Sequence, residues 1–220
     1  MSAVSRDTPV LFPLFLKLAG RRCLVVGAGS IAESKIASLL ASGARVRVVA
    51  PRATQRVERW ARARRIVWRR GSYREADLRG VFLAIAATSS PKLHALIFRQ
   101  ARRRGILCNV VDDPAHCDFY YPAVVRRGAF QIAISTGGLS PALAQQLRKR
   151  LQREFGPECA AWVKRLGESR ERIRGKNLNP ETKRKLLHRL AAGAMIPSPQ
   201  RARTLRKRSG SGGETDVGSF

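Results

Sequence analysis

The first stretch of this sequence with residue types and spacing suited to chemistry is Gly27-Ala28-Gly29-Ser30-Ile31-Ala32. It is a G-x-G-x-x-A lying between four apolar residues, Cys23 to Val26, and a segment with apolar residues at Ile36, Leu39 and Leu40. Strand, glycine turn and helix together make the dinucleotide fingerprint believable. Gly27 permits the tight turn, Gly29 lets backbone N–H groups approach a pyrophosphate, and Ala32 keeps the helix close to the sheet. The phosphates would rest on the helix N-terminus, with Ser30 and Ile31 in its first turn. The competing reading is a tight turn that binds nothing.

Acidic chemistry is expected at Asp112. It follows the apolar run Ile106 to Val111, which also contains Asn109. A carboxylate at the end of such a strand would face the nicotinamide end of a dinucleotide and could exchange a proton beside a hydride transfer. It could equally cap a turn before Pro114. At the end of the second strand an NAD site usually carries Asp or Glu, whereas here the residues are Ala50-Pro51-Arg52. Arg52 either meets a 2′-phosphate, which would favour NADP, or is an ordinary surface arginine.

A second anion-binding candidate is Ser135-Thr136-Gly137-Gly138, ahead of a helix start at Ser140-Pro141. Adjacent glycines and hydroxyls there offer N–H donors, or else serve only as a connector. His116-Cys117-Asp118 has metal-ligating types, but neighbours on an extended chain point apart, so no metal site is expected. His94 and His188 read as packing or surface residues.

The elements that must position these groups can be traced in order. Leu14 to Leu18 reads as a short strand, followed by the nucleotide-binding strand and its helix. Arg45 to Ala50 alternates into a second strand, Thr54 to Arg64 is a helix, and Ile66 to Trp68 is a third strand. Val81 to Thr88 is a continuous apolar run, as a strand buried on both faces requires. A helix from Pro91 to Arg104 leads to the strand at Ile106. This alternation predicts an α/β fold with a Rossmann-like doubly wound parallel sheet. Thr88 and Asn109 then fall at the carboxyl edge of the sheet, beside the glycine turn.

The pattern then changes. Ala123 to Val125 and Phe130 to Ser135 read as an antiparallel hairpin around Arg126-Arg127-Gly128. A helix from Pro141 to about Phe155 would turn Leu143, Leu147 and Leu151 inward, and two basic helices follow, 159–174 and 182–192. The expected organisation is a nucleotide-binding domain over 10–115, a hairpin region over 116–141, a helical region over 142–195 and a disordered basic tail over 196–220.

Lys and Arg number 43 against 15 Asp and Glu, a formal charge of +28. An anionic partner is implied, and composition does not choose among nucleic acid, a membrane surface and a polycarboxylate. Four scattered cysteines without a C-x-x-C pair fit a reducing cytoplasm. Val10 to Ala19 is too short, and too interrupted by Pro13 and Lys17, for a signal peptide or a membrane span.

Several stretches together carry a resemblance: Leu14-Phe15-Leu16-Lys17-Leu18, the run Val25 to Lys35, Ala86-Ala87-Thr88, Cys108-Asn109-Val110-Val111-Asp112 and Ile134 to Pro141. Over about residues 10–190 the chain resembles the precorrin-2 dehydrogenase module of siroheme synthases. The resemblance implies NAD⁺-dependent oxidation of precorrin-2 to sirohydrochlorin. Some members also insert Fe²⁺, and members form homodimers through the hairpin region. It places the essential aspartate on Asp112 and cofactor contacts on Ser30, Ile31, Pro51 and Arg52. It places the tetrapyrrole-facing motif on Ser135, Thr136, Gly137 and Gly138.

Several departures stand out. An acid is common in the family where Arg52 stands. Ser89-Ser90 and His94 replace Asp-Asp and a later Asn. A serine phosphorylated in some relatives corresponds to Thr136. No methyltransferase domain follows in this sequence. The alternative reading is an NAD-sensing regulatory or nucleic-acid-binding module using the basic helices and tail, although no nucleic-acid-binding motif supports it.

Overall fold

The computed structural model describes residues 10–193, which fall into two compact units, 10–121 and 122–193. The expected tail over 196–220 lies outside the described residues.

The first unit is a five-stranded sheet. Its strands are β1 (Arg22–Val26), β2 (Arg45–Ala50), β3 (Ile66–Arg70), β4 (Leu83–Ala86) and β5 (Leu107–Val110), in the order β3-β2-β1-β4-β5. Every pairing is parallel, and Val25 stands opposite both Val48 and Ile85. Alternate residues of each strand feed opposite layers. Cys23 and Val25 meet Ile36 of α1 (Ser30–Ala41) and Val57 of α2 (Gln55–Arg62). Leu24 and Val26 meet Ile97, Phe98 and Ala101 of α3 (Pro91–Arg103). Each fully buried aliphatic side chain, such as Leu24, Ile36, Ile85 or Ile97, stabilises the fold by about 1.5–3 kcal/mol. Helices on both faces make the sheet doubly wound, and strand order reverses between β1 and β4, as the alternation of elements predicts.

The link from β3 to β4 contains a one-turn 3-10 segment, Glu75–Leu78. Its Asp77 is 6% exposed. The carboxylate accepts from Arg69 Nε at 2.9 Å, from Arg69 Nη2, and from the Arg74 backbone N–H at 2.8 Å. Burial alone would push this carboxyl up, but the bonds from Arg69 and Arg74 hold it below its usual range.

The second unit opens with an antiparallel hairpin, β6 (Ala123–Arg127) and β7 (Phe130–Ile134). The turn falls at Gly128-Ala129, one residue later than the sequence suggests. The α-helices α4 (Pro141–Glu154), α5 (Glu158–Gly175) and α6 (Pro180–Gly193) follow. Arg127 reaches from β6 to the carbonyl oxygens of Phe155 and Gln152, both at 3.0 Å. A cation is favoured at the C-terminal end of α4.

Two expectations are corrected. Leu14 to Leu18 is not a strand. The segment has β-type residues, but a strand needs a ladder partner, and none pairs with it among the described residues. Leu18 is buried, whereas Phe15 is 68% exposed. In α4 the inward residue is Ala144, while Leu143 and Leu147 are exposed. Periodicity identifies an apolar stripe without saying what lies opposite it.

Asp77 yields a pH prediction. Its depressed folded pKa contributes stability above the unfolded value of about 3.9, and that contribution is lost as pH falls through the folded value. Asp77→Asn should cost about 1–3 kcal/mol at pH 7. In urea unfolding, the gap from wild type should narrow by pH 3.

Candidate functional site

The carboxyl edge of the sheet gathers the loops after β1, β2, β4 and β5. Val26 ends β1, and Gly27 turns the chain with φ 105°. Gly27 N–H donates to Val49 O at 2.9 Å, while Ala87 N–H donates to Val26 O at 2.8 Å. A Cβ at Gly27 would lie 2.1 Å from Ala87 O and 3.3 Å from Thr88 N. Only glycine lets the turn lie against β4.

Gly29 is different. Its φ of −80° suits any residue, and a Cβ there would meet nothing within 4 Å. The protein's own packing does not require glycine at this position. A ligand approaching the backbone would require it. α1 begins at the next residue, and no side chain caps it, whereas Thr54, Ser90 and Ser140 cap α2, α3 and α4. Its first-turn N–H groups are therefore available to an anion. The open space at Gly29 and the uncapped helix start fit a dinucleotide pyrophosphate. Ser30 is exposed there and Ile31 is 51% exposed. Pro51 and Arg52 stand exposed after β2, and Ala28 O accepts from Thr54 N–H at 3.1 Å, tying that loop to the turn.

After β4, the Thr88 N–H donates to His94 Nε2 at 3.2 Å, and Thr88 Oγ1 accepts from Ser90 N–H at 3.3 Å. His94 is buried at 8% exposure, so it fixes the loop from inside. That role was missed in the sequence, although 94, 97, 98 and 101 share the spacing of one inward helix face.

Asn109 is buried, and its Nδ2 donates to Phe119 O at 2.8 Å and to Cys117 Sγ at 3.2 Å. It binds the segment after β5 back onto the strand. Asp112 is exposed, with φ 60°. Left-handed backbone is uncommon outside glycine and is tolerated best by Asn and Asp. Among the described residues its carboxylate has no hydrogen bond or ion pair. Lys35 of α1, absent from the sequence-based candidates, holds its ammonium 3.8 Å from the Tyr121 ring centroid. Burial lowers the Lys35 pKa, opposed by the nearby charges of Asp112 and Cys117.

His116, Cys117 and Asp118 have separate partners: Asp113 Oδ2 at 2.7 Å, Val110 O at 3.1 Å and the Cys108 N–H at 2.9 Å. Among the described residues no group of three or more His, Cys, Asp or Glu is placed to hold a metal. Burial pushes the Cys23 thiol up to about 11 and the Cys108 thiol up to about 12. Neither supplies a thiolate nucleophile at neutral pH.

In the second unit, Gly137 and Gly138 adopt φ 63° and 87°. Ser135 Oγ accepts from Gly137 N–H and Thr136 Oγ1 from Ser140 N–H, both at 3.1 Å. Both hydroxyls act here as acceptors, so their protons are free to donate.

A family model described as "Putative NAD(P)-binding" matches residues 14–123, and one described as "Sirohaem biosynthesis protein central" matches 127–154. A siroheme synthase of Nitrosococcus oceani is 40% identical over 140 residues, 64% of this chain and 30% of that protein. One from Xylella fastidiosa is 38% identical over 186 residues, 84% of this chain and 39% of that protein. The chain thus spans about a third of the length of the curated relatives it matches. A solved structure described as "SirC, precorrin-2 dehydrogenase" is similar at 27% identity with a TM-score of 0.72, covering 90% of this chain and 98% of that one.

The two glycines should separate on mutation. Gly27→Ala should destabilise the protein by about 3 kcal/mol or more, through the clash with Ala87 and the positive φ. Gly29→Ala should melt like wild type but bind NAD⁺ at least about tenfold more weakly, a loss of about 1.4 kcal/mol. Calorimetric melting and NAD⁺ titration of both variants check the contrast.

Proposed function

This chain belongs to the NAD(P)-binding module family of siroheme synthases, and we propose that it is a cytoplasmic NAD⁺-dependent precorrin-2 dehydrogenase that forms sirohydrochlorin. The observation that carries the reading is Asp112, an exposed acid in left-handed backbone at the same sheet edge as the glycine turn. The likeness to the solved precorrin-2 dehydrogenase over nearly all of both chains supports it.

NAD⁺, when bound, supplies the hydride acceptor. The Ser30 and Ile31 N–H groups hold its pyrophosphate in the space left by Gly29. Pro51, Arg52 and Thr88 border the rest of the cofactor. Asn109 keeps the segment after β5 in place, and Asp112 takes the proton that leaves the macrocycle along with the hydride. Macrocycle carboxylates are drawn by the +28 chain through long-range attraction that salt weakens. On the second unit, the free hydroxyl protons of Ser135 and Thr136, with the Gly137-Gly138 turn, donate to those carboxylates. Fe²⁺ enters this reading only as a further substrate, with Asp112 accepting protons displaced from the pyrroles.

The working form is a homodimer. Leu143 and Leu147 of α4 are 47% and 36% exposed and share one helical stripe, and Leu139 in the loop just before that helix is 68% exposed. A matching stripe on a second copy would remove them from water.

Anaerobic precorrin-2 and NAD⁺ should yield NADH and the sirohydrochlorin spectrum. Asp112→Asn should lose about 100-fold or more in kcat while NAD⁺ affinity is retained, and full activity would remove the assigned role. Separately, Leu143→Glu should shift the sedimenting species from dimer to monomer, and an unchanged dimer would locate the interface elsewhere.

A further inference from the structure

The amino edge of the same sheet, opposite the proposed active site, carries arginines at the start of its strands or in the segments that lead into them. In the order of the sheet, Arg65 directly precedes β3, Arg45 opens β2, Arg21 precedes and Arg22 opens β1, Arg79 lies ahead of β4 in the loop that leads into it, and Arg103 ends the helix that leads into β5. All six are exposed. Among the described residues none of them forms an ion pair. The acids near this edge are already engaged: Glu75 pairs with Arg104 at 2.8 Å, and Asp77 with Arg69.

The backbone fixes the row. Arg22 stands opposite Arg45 in the ladder, and Arg45 N–H donates to Arg21 O at 2.8 Å. Arg21 lies with its guanidinium 4.9 Å from the Phe82 ring centroid, and Arg22 Nη1 lies against Gly80. Helix dipoles explain Arg103, in the last turn of α3. They do not explain Arg45, Arg21, Arg22 or Arg79, which belong to strands or loops. Four strand spacings make the row about 19 Å wide.

From this row we infer a second binding surface, an arginine edge for the phosphate backbone of nucleic acid, independent of the proposed dehydrogenase site. Guanidinium groups match phosphate in paired hydrogen bonds. Large apolar side chains exposed near this edge are scattered, Val67 in β3 at 64% and Phe15 ahead of β1 at 68%, whereas the arginines form a continuous row, so guanidinium–phosphate contact is the interaction this edge offers most densely. The surface therefore reads backbone charge without sequence preference. Six neutralised phosphates give a slope of log affinity against log salt of about −5.

The test titrates the full chain against a fluorescent 20-base-pair duplex DNA by anisotropy, across a range of KCl concentrations. An edge variant (Arg21→Gln, Arg45→Gln, Arg65→Gln, Arg79→Gln) is compared with a charge-matched control (Arg165→Gln, Arg170→Gln, Arg184→Gln, Arg189→Gln). The edge variant should bind at least tenfold more weakly at 100 mM salt, with the slope reduced by about 3–4. The control should change the slope by less than about one. Equal loss in both variants, a larger loss in the control, or anionic vesicles binding with the same edge dependence overturns the inference. Hydrogen exchange on the wild-type chain gives a reading that does not depend on the variants folding. DNA should protect amides around residues 20–22, 45, 64–65 and 79–80, and protection confined to the helices or the tail overturns the assignment.

Discussion

The constraint on which the first unit depends is the contact between the Gly27 turn and the end of β4. With Ala87 O only 2.1 Å from where a Cβ would stand, the turn can sit there in one conformation and with one residue type. Bonds to Val49 and from Ala87 pin it between the two strands that flank β1. That placement starts α1 at Ser30 with its free N–H groups at the point where strand order reverses. The layers on both sides hold this glycine-only conformation in place.

The same geometry gives the unit two chemically different edges. At the carboxyl edge the loops end in groups able to hold a dinucleotide and exchange a proton: the open Gly29, the hydroxyl of Thr88 and the unengaged acid of Asp112. Buried side chains stand behind them and fix their positions, His94 under the Thr88 loop and Asn109 under the segment after β5. At the amino edge, where chains return from helices, arginines gather without matching acids. In a parallel sheet these edges lie a strand length apart, so each can carry its own partner.

How much of this was legible in the sequence depended on whether a signal was local. The parallel strands and the G-x-G-x-x-A turn were readable, because buried strands are continuous apolar runs and glycines mark the turn. Local character misled at Leu14 to Leu18, where β-type residues have no ladder partner. It misled again in α4, where the apolar stripe of Leu143 and Leu147 does not face the hairpin. The surroundings of His94 and Lys35 needed three dimensions. A histidine on an apolar face reads as packing until the N–H it accepts from is seen, and a lysine beside an aspartate 77 residues away has no local signal. The left-handed backbone at Asp112 was equally invisible, though its place after a buried strand marked it as a candidate.

The central claim is that the Gly27 turn aims the start of α1 at a pyrophosphate, with the nicotinamide end directed to Asp112. A crystal structure of the chain with NAD⁺ tests it most directly. The account predicts phosphate oxygens within hydrogen-bonding distance of the Ser30 or Ile31 N–H, close packing over Gly29, and the nicotinamide ring on the Asp112 side of β4. Pyrophosphate bound away from Gly29, or a ring directed away from Asp112, would contradict it.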